Sequence, residues 1–121
     1  MHCIGVDIIE IARIEQAINH WGESFLRRVY TDSELKLYHG KSSSLAARFA
    51  GKEAVMKVLG TQNRGMSWKE IEILSDPNGK PFLRLHGRAQ NQAASLGLSE
   101  LAISLSHCKE YAIAFVMGEV K

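Results

Sequence analysis

Asp7 and Glu53 are carboxylates set among aliphatic side chains, and that setting asks for a partner for each. Asp7 lies in Ile4-Gly5-Val6-Asp7-Ile8-Ile9-Glu10-Ile11-Ala12-Arg13-Ile14, and Glu53 in Ala47-Arg48-Phe49-Ala50-Gly51-Lys52-Glu53-Ala54-Val55-Met56-Lys57-Val58-Leu59-Gly60. An ionised carboxylate in apolar surroundings is costly unless a cation or hydrogen bonds compensate it. Hard oxygen donors with no histidine or cysteine nearby in sequence suit Mg²⁺, which takes one or two carboxylates and fills its shell with substrate phosphates and water. Lys52 and Lys57, on either side of Glu53, would then suit the phosphates, because lysine offers a mobile point charge.

The elements that must hold these groups follow from hydrophobic periodicity. His2 to Ile8 reads as a buried strand ending near Asp7. Ile11, Ile14, Ile18 and Trp21 mark an amphipathic helix that Gly22 stops, and a short helical piece follows around Ser24 to Tyr30. Thr31-Asp32-Ser33-Glu34 is a capping box that opens a helix to about His39. The longest helix spans Ser44 to Leu59 and ends at Gly60, with Phe49, Ala50 and Glu53 on one stripe. Gly51, inside it, is less favourable there than alanine by nearly ~1 kcal/mol.

The second half alternates instead. Ile71 and Ile73, then Leu83 and Leu85, read as strands joined by the hairpin Asp76-Pro77-Asn78-Gly79. Ala89, Ala93 and Leu96 suggest a helix ended by Gly97; Leu101, Ile103 and Leu105 suggest a strand that turns at Cys108 to Glu110 into Tyr111 to Met117. The predicted order is β-α-α-α-β-β-α-β-β, an α+β domain spanning residues 1–121 with a largely antiparallel sheet packed against the long helix.

Each chemical reading has a plain structural alternative. Asp7 could cap the helix expected to begin near Ile9. Glu53 could form an i,i+4 ion pair with Lys57 on a solvated face, worth about 0.3 kcal/mol. Lys52 could be an ordinary surface lysine, and Lys80 an ordinary turn lysine.

Composition narrows the class. The chain has 121 residues, 45% apolar and 23% charged, with a net charge of +2, a size and balance typical of one globular domain. That charge is too small to imply nucleic-acid binding. No apolar run reaches the roughly 20 residues that cross a bilayer, and no basic start precedes an apolar stretch as in an export signal, so a cytoplasmic protein is expected. Cys3 and Cys108 then read as free thiols. The dispersed glycines form neither a dinucleotide fingerprint nor a P-loop.

The segments around Asp7 and Glu53 resemble the paired signatures of the bacterial holo-acyl-carrier-protein synthase family, the small-trimer class of 4′-phosphopantetheinyl transferases: G-x-D-I-x-E-x-x-R-I and R-F-A-x-K-E-A-x-x-K-x-x-G. Asn78-Gly79-Lys80-Pro81 resembles that family's hairpin turn, and Ser104-Leu105-Ser106-His107-Cys108-Lys109-Glu110-Tyr111-Ala112 its closing segment. The resemblance implies the 4′-phosphopantetheinyl transferase fold. It also implies transfer of the 4′-phosphopantetheine group from coenzyme A to a serine of apo acyl carrier protein, in support of fatty acid biosynthesis. A catalytically impaired carrier-binding module is the alternative. By resemblance, Asp7 and Glu53 are the Mg²⁺ ligands, with Glu10 in a second shell. Lys57 and the loop after Gly60, with Thr61 in it, contact the phosphates, and Gln62 departs from the family's usual glycine there. Lys80 contacts the ribose 3′-phosphate, and Ser106 and His107 reach the nucleotide from a neighbouring subunit of a homotrimer. Arg13, helped by Arg48 and also by Arg27 and Arg28, docks an acidic helix of the carrier.

Overall fold

Strand alternation sets the central sheet. In β5 (Tyr111–Val120) Ala112, Ala114, Val116 and Gly118 are buried, and the residues between them are exposed. β5 lies between β1 (His2–Glu10) and β4 (Leu98–His107), antiparallel to both, in a sheet ordered β1-β5-β4. The computed structural model describes residues 1–60 and 65–121. Between β1 and β5 run α1 (Ile11–Trp21), α2 (Glu23–Val29), α3 (Asp32–Tyr38), α4 (Ser42–Leu59), a 3₁₀ turn at Trp68–Glu70, β2 (Ile71–Ser75), β3 (Pro81–Leu85), α5 (Gly87–Ser95) and β4.

The expected α+β class holds, with α4 laid on the inner face of the sheet. Its internal boundaries differ in several places, two of which bear on the site. The short piece after Gly22 is a helix of its own, so α1 to α4, and not three helices, separate β1 from β2. Gly22 permits this sharp turn by adopting φ 60, a region open to glycine at little cost. β1 also runs past Asp7 to Glu10, because its ladder with β5 continues to Glu10↔Tyr111 and Ile11 N–H then donates to the Glu110 carbonyl at 2.9 Å.

α4 is covered on nearly every side, and small side chains make that packing close. Ala46, Ala50 and Ala54 are fully buried, and Ala112 and Ala114 of β5 are too. The closest approach is at Gly5 of β1, where an added Cβ would land on the Ala54 carbonyl oxygen and come within 2.9 Å of Val58 Cγ2. Gly51 has the same role on the other side of α4, since a Cβ there would sit 2.5 Å from Ile73 Cδ1 and 3.2 Å from Ile103 Cδ1. The helix-propensity cost of Gly51 is the condition for wedging α4 between β2 and the central sheet.

The cores divide along α4. Its C-terminal half packs with β2, α5, β4 and β5 around Val55, Leu59, Ile71 and Val116. Its N-terminal half packs with α1, α2 and α3 around Ile14, Leu26, Tyr30 and Leu45. The capping box anticipated at Thr31 is present, with Thr31 and Glu34 bonding each other's backbone N–H. Leu59, at the C-terminal end of α4, has its carbonyl capped by Gln92 Nε2 of α5 at 3.1 Å.

Replacing Gly5 by alanine is expected to lower the unfolding free energy by about 3 kcal/mol, the upper end of overpacking costs, because the obstacle is backbone and cannot rotate away. Urea denaturation measures this; a change below about 0.5 kcal/mol, the size of an ordinary surface substitution, would show that β1 does not lie this close to α4.

Candidate active site

Asp7 shares a face of β1 with Gly5 and Ile9, the face turned to α4. It stands mid-strand, opposite Ala114, while Glu10 occupies the cap position of α1 and makes no side-chain cap bond. The helix-cap alternative for Asp7 therefore fails. Asp7, Arg13 and Glu53 line one cavity of about 350 Å³ with Ile8, Ile9, Ile14, Ala17, Phe25 and Phe49. Strand β1 supplies Asp7, helix α1 supplies Arg13, and α4 supplies Glu53.

Lys57, one helical turn beyond Glu53, bonds across to β1. Its Nζ lies 3.1 Å from Asp7 Oδ1 and 2.9 Å from the Val6 carbonyl oxygen. The ion pair that the sequence offered between Lys57 and Glu53 gives way to one with Asp7. Partial burial, and then the charge of Asp7, push the Glu53 carboxyl above its ordinary range, while Lys57 pulls it back in part. Two acidic groups feel each other here, and the electrostatics favour another positive charge beside them. An all-oxygen carboxylate pair of this kind fits Mg²⁺ with its remaining positions left to phosphate and water.

Other expected site residues stand elsewhere. Glu10 points to a different cavity, lined with Glu15, Lys109, Glu110 and Tyr111, so it is not a second-shell group of Asp7. Lys52 is fully buried, with its ammonium 2.8 Å from Glu34 Oε1 and bonded also to the carbonyls of Trp68 and Ile71. It is neither a phosphate contact nor a surface lysine. Burial pushes the Lys52 ammonium below the usual lysine range, and Glu34 opposes that shift.

Arg48 is buried as well, stacked 3.8 Å from the Tyr38 ring centroid and donating to Tyr38 Oη at 2.8 Å and Ser75 Oγ at 3.0 Å. Its guanidinium ties α4 to α3 and β2, so the docking role expected of it is withdrawn. Arg13 remains exposed beside the cavity. Arg27 pairs with Glu23 at 3.6 Å on the surface, and Arg28 lines a separate hollow with Trp21, Ser24 and Phe25.

Lys80, Ser106 and His107 are exposed and do not line the cavity of Asp7. His107 pairs with Ala112 and so belongs to the inner face of the sheet, whereas Ser106 pairs with Ile113 and belongs to the outer one. Gly60 ends α4 at φ 100. The phosphate contact expected at Thr61, and the departure at Gln62, lie outside the described residues. Cys3 and Cys108 are free thiols.

Sequence reasoning missed the apolar wall of the cavity. Phe49 stacks on Trp68 with centroids 4.8 Å apart, and Phe25 closes the α2 side. The only advance signal was Phe49 lying one turn before Glu53 on the same stripe.

Comparison with known proteins gives the family. The pattern of the 4′-phosphopantetheinyl transferase superfamily matches residues 3–116. The chain belongs to that superfamily. Among similar members, the holo-[acyl-carrier-protein] synthase of Herpetosiphon aurantiacus is 49% identical over 121 residues, covering 94% of this chain and 95% of that one. The counterpart in Dehalococcoides mccartyi strain CBDB1 is 52% identical over 115 residues, covering 95% and 96%. The crystal structure of Helicobacter pylori holo-[acyl-carrier-protein] synthase in complex with coenzyme A superposes with a TM-score of 0.86 at 35% identity, covering 96% of this chain and 99% of that one. The motif resemblance is borne out over nearly the whole length of this superfamily member.

Lys52→Met is expected to cost about 3–5 kcal/mol of stability, because it strands Glu34 as a buried unpaired charge. Thermal melting with and without coenzyme A separates this from a phosphate-binding role, which would leave the melting temperature of the free protein unchanged.

Proposed function

We propose that the chain is a holo-[acyl-carrier-protein] synthase. It moves the 4′-phosphopantetheine arm of coenzyme A onto a serine hydroxyl of apo acyl carrier protein. The serine oxygen bonds to the β-phosphorus of coenzyme A, the bond from that phosphorus to the bridging oxygen breaks, and adenosine 3′,5′-bisphosphate leaves. The observation that carries this reading is the convergence of Asp7, Glu53 and Lys57 at the seam of β1 and α4, in a chain of this superfamily. Coenzyme A bound to a solved relative supports it as the cosubstrate.

Asp7 and Glu53 would hold Mg²⁺, which when bound supplies positive charge against the pyrophosphate. Lys57 adds a further cation within one helical turn of Glu53, and phosphoryl transfer depends chiefly on such positioning and neutralisation. Phe25, Phe49 and Ile14 wall the cavity and keep water from the reacting phosphorus. Arg13, exposed at the mouth on α1, is set to pair with carboxylates of an acidic carrier. Lys80, Ser106 and His107 would meet the nucleotide from elsewhere on the chain or from a neighbouring copy, and the loop after Gly60 would approach the phosphates.

The outer face of the central sheet supports a homotrimer with sites between subunits. Ile4, Val6 and Ile8 of β1 and Ile113, Phe115 and Met117 of β5 are each between 39% and 61% exposed, and a continuous apolar face of this kind marks an interface. Phe115 turns outward into this face, whereas its neighbour Val116 is core. No helix among the described residues is long and apolar enough to cross a membrane, in keeping with a cytoplasmic enzyme of fatty acid biosynthesis.

Apo carrier protein incubated with coenzyme A and Mg²⁺ should gain the mass of one phosphopantetheine group by mass spectrometry; no gain, with carrier binding intact, would favour the impaired binding module instead. Arg13→Glu should raise the carrier KM about tenfold or more, since a hydrogen bond to a charged group contributes ~1.5 kcal/mol or more, with the coenzyme A KM unchanged. Unchanged KM values for both substrates would remove Arg13 from docking. Sedimentation should return three times the 13.5 kDa chain mass, and Phe115→Glu should return one.

A further inference from the structure

Lys57 does not stand free at the mouth of the cavity. Its ammonium is folded back onto β1, held by the Val6 carbonyl at 2.9 Å and by Asp7 Oδ1 at 3.1 Å. The lysine side chain keeps 56% of its surface exposed, while that of Asp7 keeps 21%. A cation so placed has bonds to hold it and open space to leave by. The charge of Lys57 also favours the ionised Glu53 carboxylate against burial and Asp7.

The same Asp7 oxygens are those the proposed metal would take. A divalent ion on Asp7 and Glu53 would lie beside the ammonium, and like charges at that range repel. Lysine has the length and flexibility to move, and a phosphate is a better partner for it than a carboxylate already engaged by a metal.

We propose that Lys57 is an exchangeable counter-ion: it neutralises the acidic pair in the free enzyme, and metal binding drives it from Asp7 onto the phosphates of coenzyme A. The inference rests on the reading of Asp7 and Glu53 as the metal pair. Metal alone must displace the ammonium with no anion to receive it; metal with coenzyme A displaces it onto the pyrophosphate. The two ligands therefore tighten each other's binding through this one side chain, and the effect is reciprocal.

Mn²⁺ binding, followed by the electron paramagnetic resonance of the free ion, tests this without any turnover. Wild type, Lys57→Met, Lys57→Arg and Asp7→Asn are titrated alone and with coenzyme A. Lys57→Met should bind Mn²⁺ alone at least about fivefold tighter than wild type, the low end of site-to-site couplings. Coenzyme A should then sharpen Mn²⁺ binding far less than in wild type, and Lys57→Arg, which keeps the charge, should behave like wild type without coenzyme A. Damage to the fold cannot produce tighter binding. Unchanged or weaker Mn²⁺ affinity in Lys57→Met, with binding abolished in Asp7→Asn, overturns the counter-ion role and spares the metal pair. Mn²⁺ binding that survives Asp7→Asn overturns both.

Discussion

The contact of Gly5 with the backbone of α4 is the constraint on which the site depends. Asp7 belongs to the first strand, Glu53 and Lys57 to a helix that follows three others, and nothing covalent keeps them in step. Along β1, residues on the inner face recur about every 6.6 Å; along α4, a given face recurs about every 5.4 Å. Gly5 against Ala54 and Val58 fixes where these two rulers align, and the next inward residue, Asp7, then meets Lys57 and Glu53. A side chain at Gly5 would hold the strand off the helix by the width of a methyl group. The glycine two residues before the aspartate is therefore part of the site, although it touches no reacting atom.

Two lysines on neighbouring turns of α4 show how exposure divides charged groups between structure and chemistry. Lys52 donates to Glu34, Trp68 and Ile71, and Glu34 in turn receives the N–H groups of Thr31 and Ile73. With no solvent to replace a lost partner, breaking such a pair costs about 3–5 kcal/mol, so Lys52 is locked. The pair of Lys57 and Asp7 faces solvent, where an ion pair is worth about 1 kcal/mol or less. An interaction of that size can be exchanged for a ligand. The locked pair ties α3, α4 and β2 together within one residue of Glu53, and the labile pair operates on that rigid base.

Much of this was legible in the residues. The alternation of β5 is regular enough that its inward residues Ala112, Ala114 and Val116 are the buried ones, whereas in β2 Glu72 is buried along with Ile71 and Ile73, bonded to Thr31 and His86. The pairing of Asp7 with Glu53 was legible as well, because both carboxylates stand in apolar company. What escaped was burial of cations. Arg48 and Lys52 look like surface residues, since their acceptors lie on α3, β2 and the turn at Trp68, and no local periodicity announces contacts at such separation. The end of β1 escaped for a related reason: Ile8 to Ile11 suits a strand or a helix equally, and only the ladder to β5 decides.

Tertiary packing also explains why the nucleotide contacts expected at Ser106 and His107 do not gather around Asp7. Strand alternation sends neighbours to opposite faces, so His107 shares the inner face with Ala112, and Ser106 shares the outer face with Ile113. The inner face is closed by α4, and the groups it presents at its edge are acidic and basic. On β1 and β5 the outer face carries isoleucine, valine, phenylalanine and methionine side chains that stay exposed, while β4 adds Ser104 and Ser106 beside them. An apolar sheet face of that extent is the mark of an interaction surface. The sheet thus gives its two faces different work: the inner one carries Asp7 against α4, and the outer one leaves the apolar residues of β1 and β5 exposed.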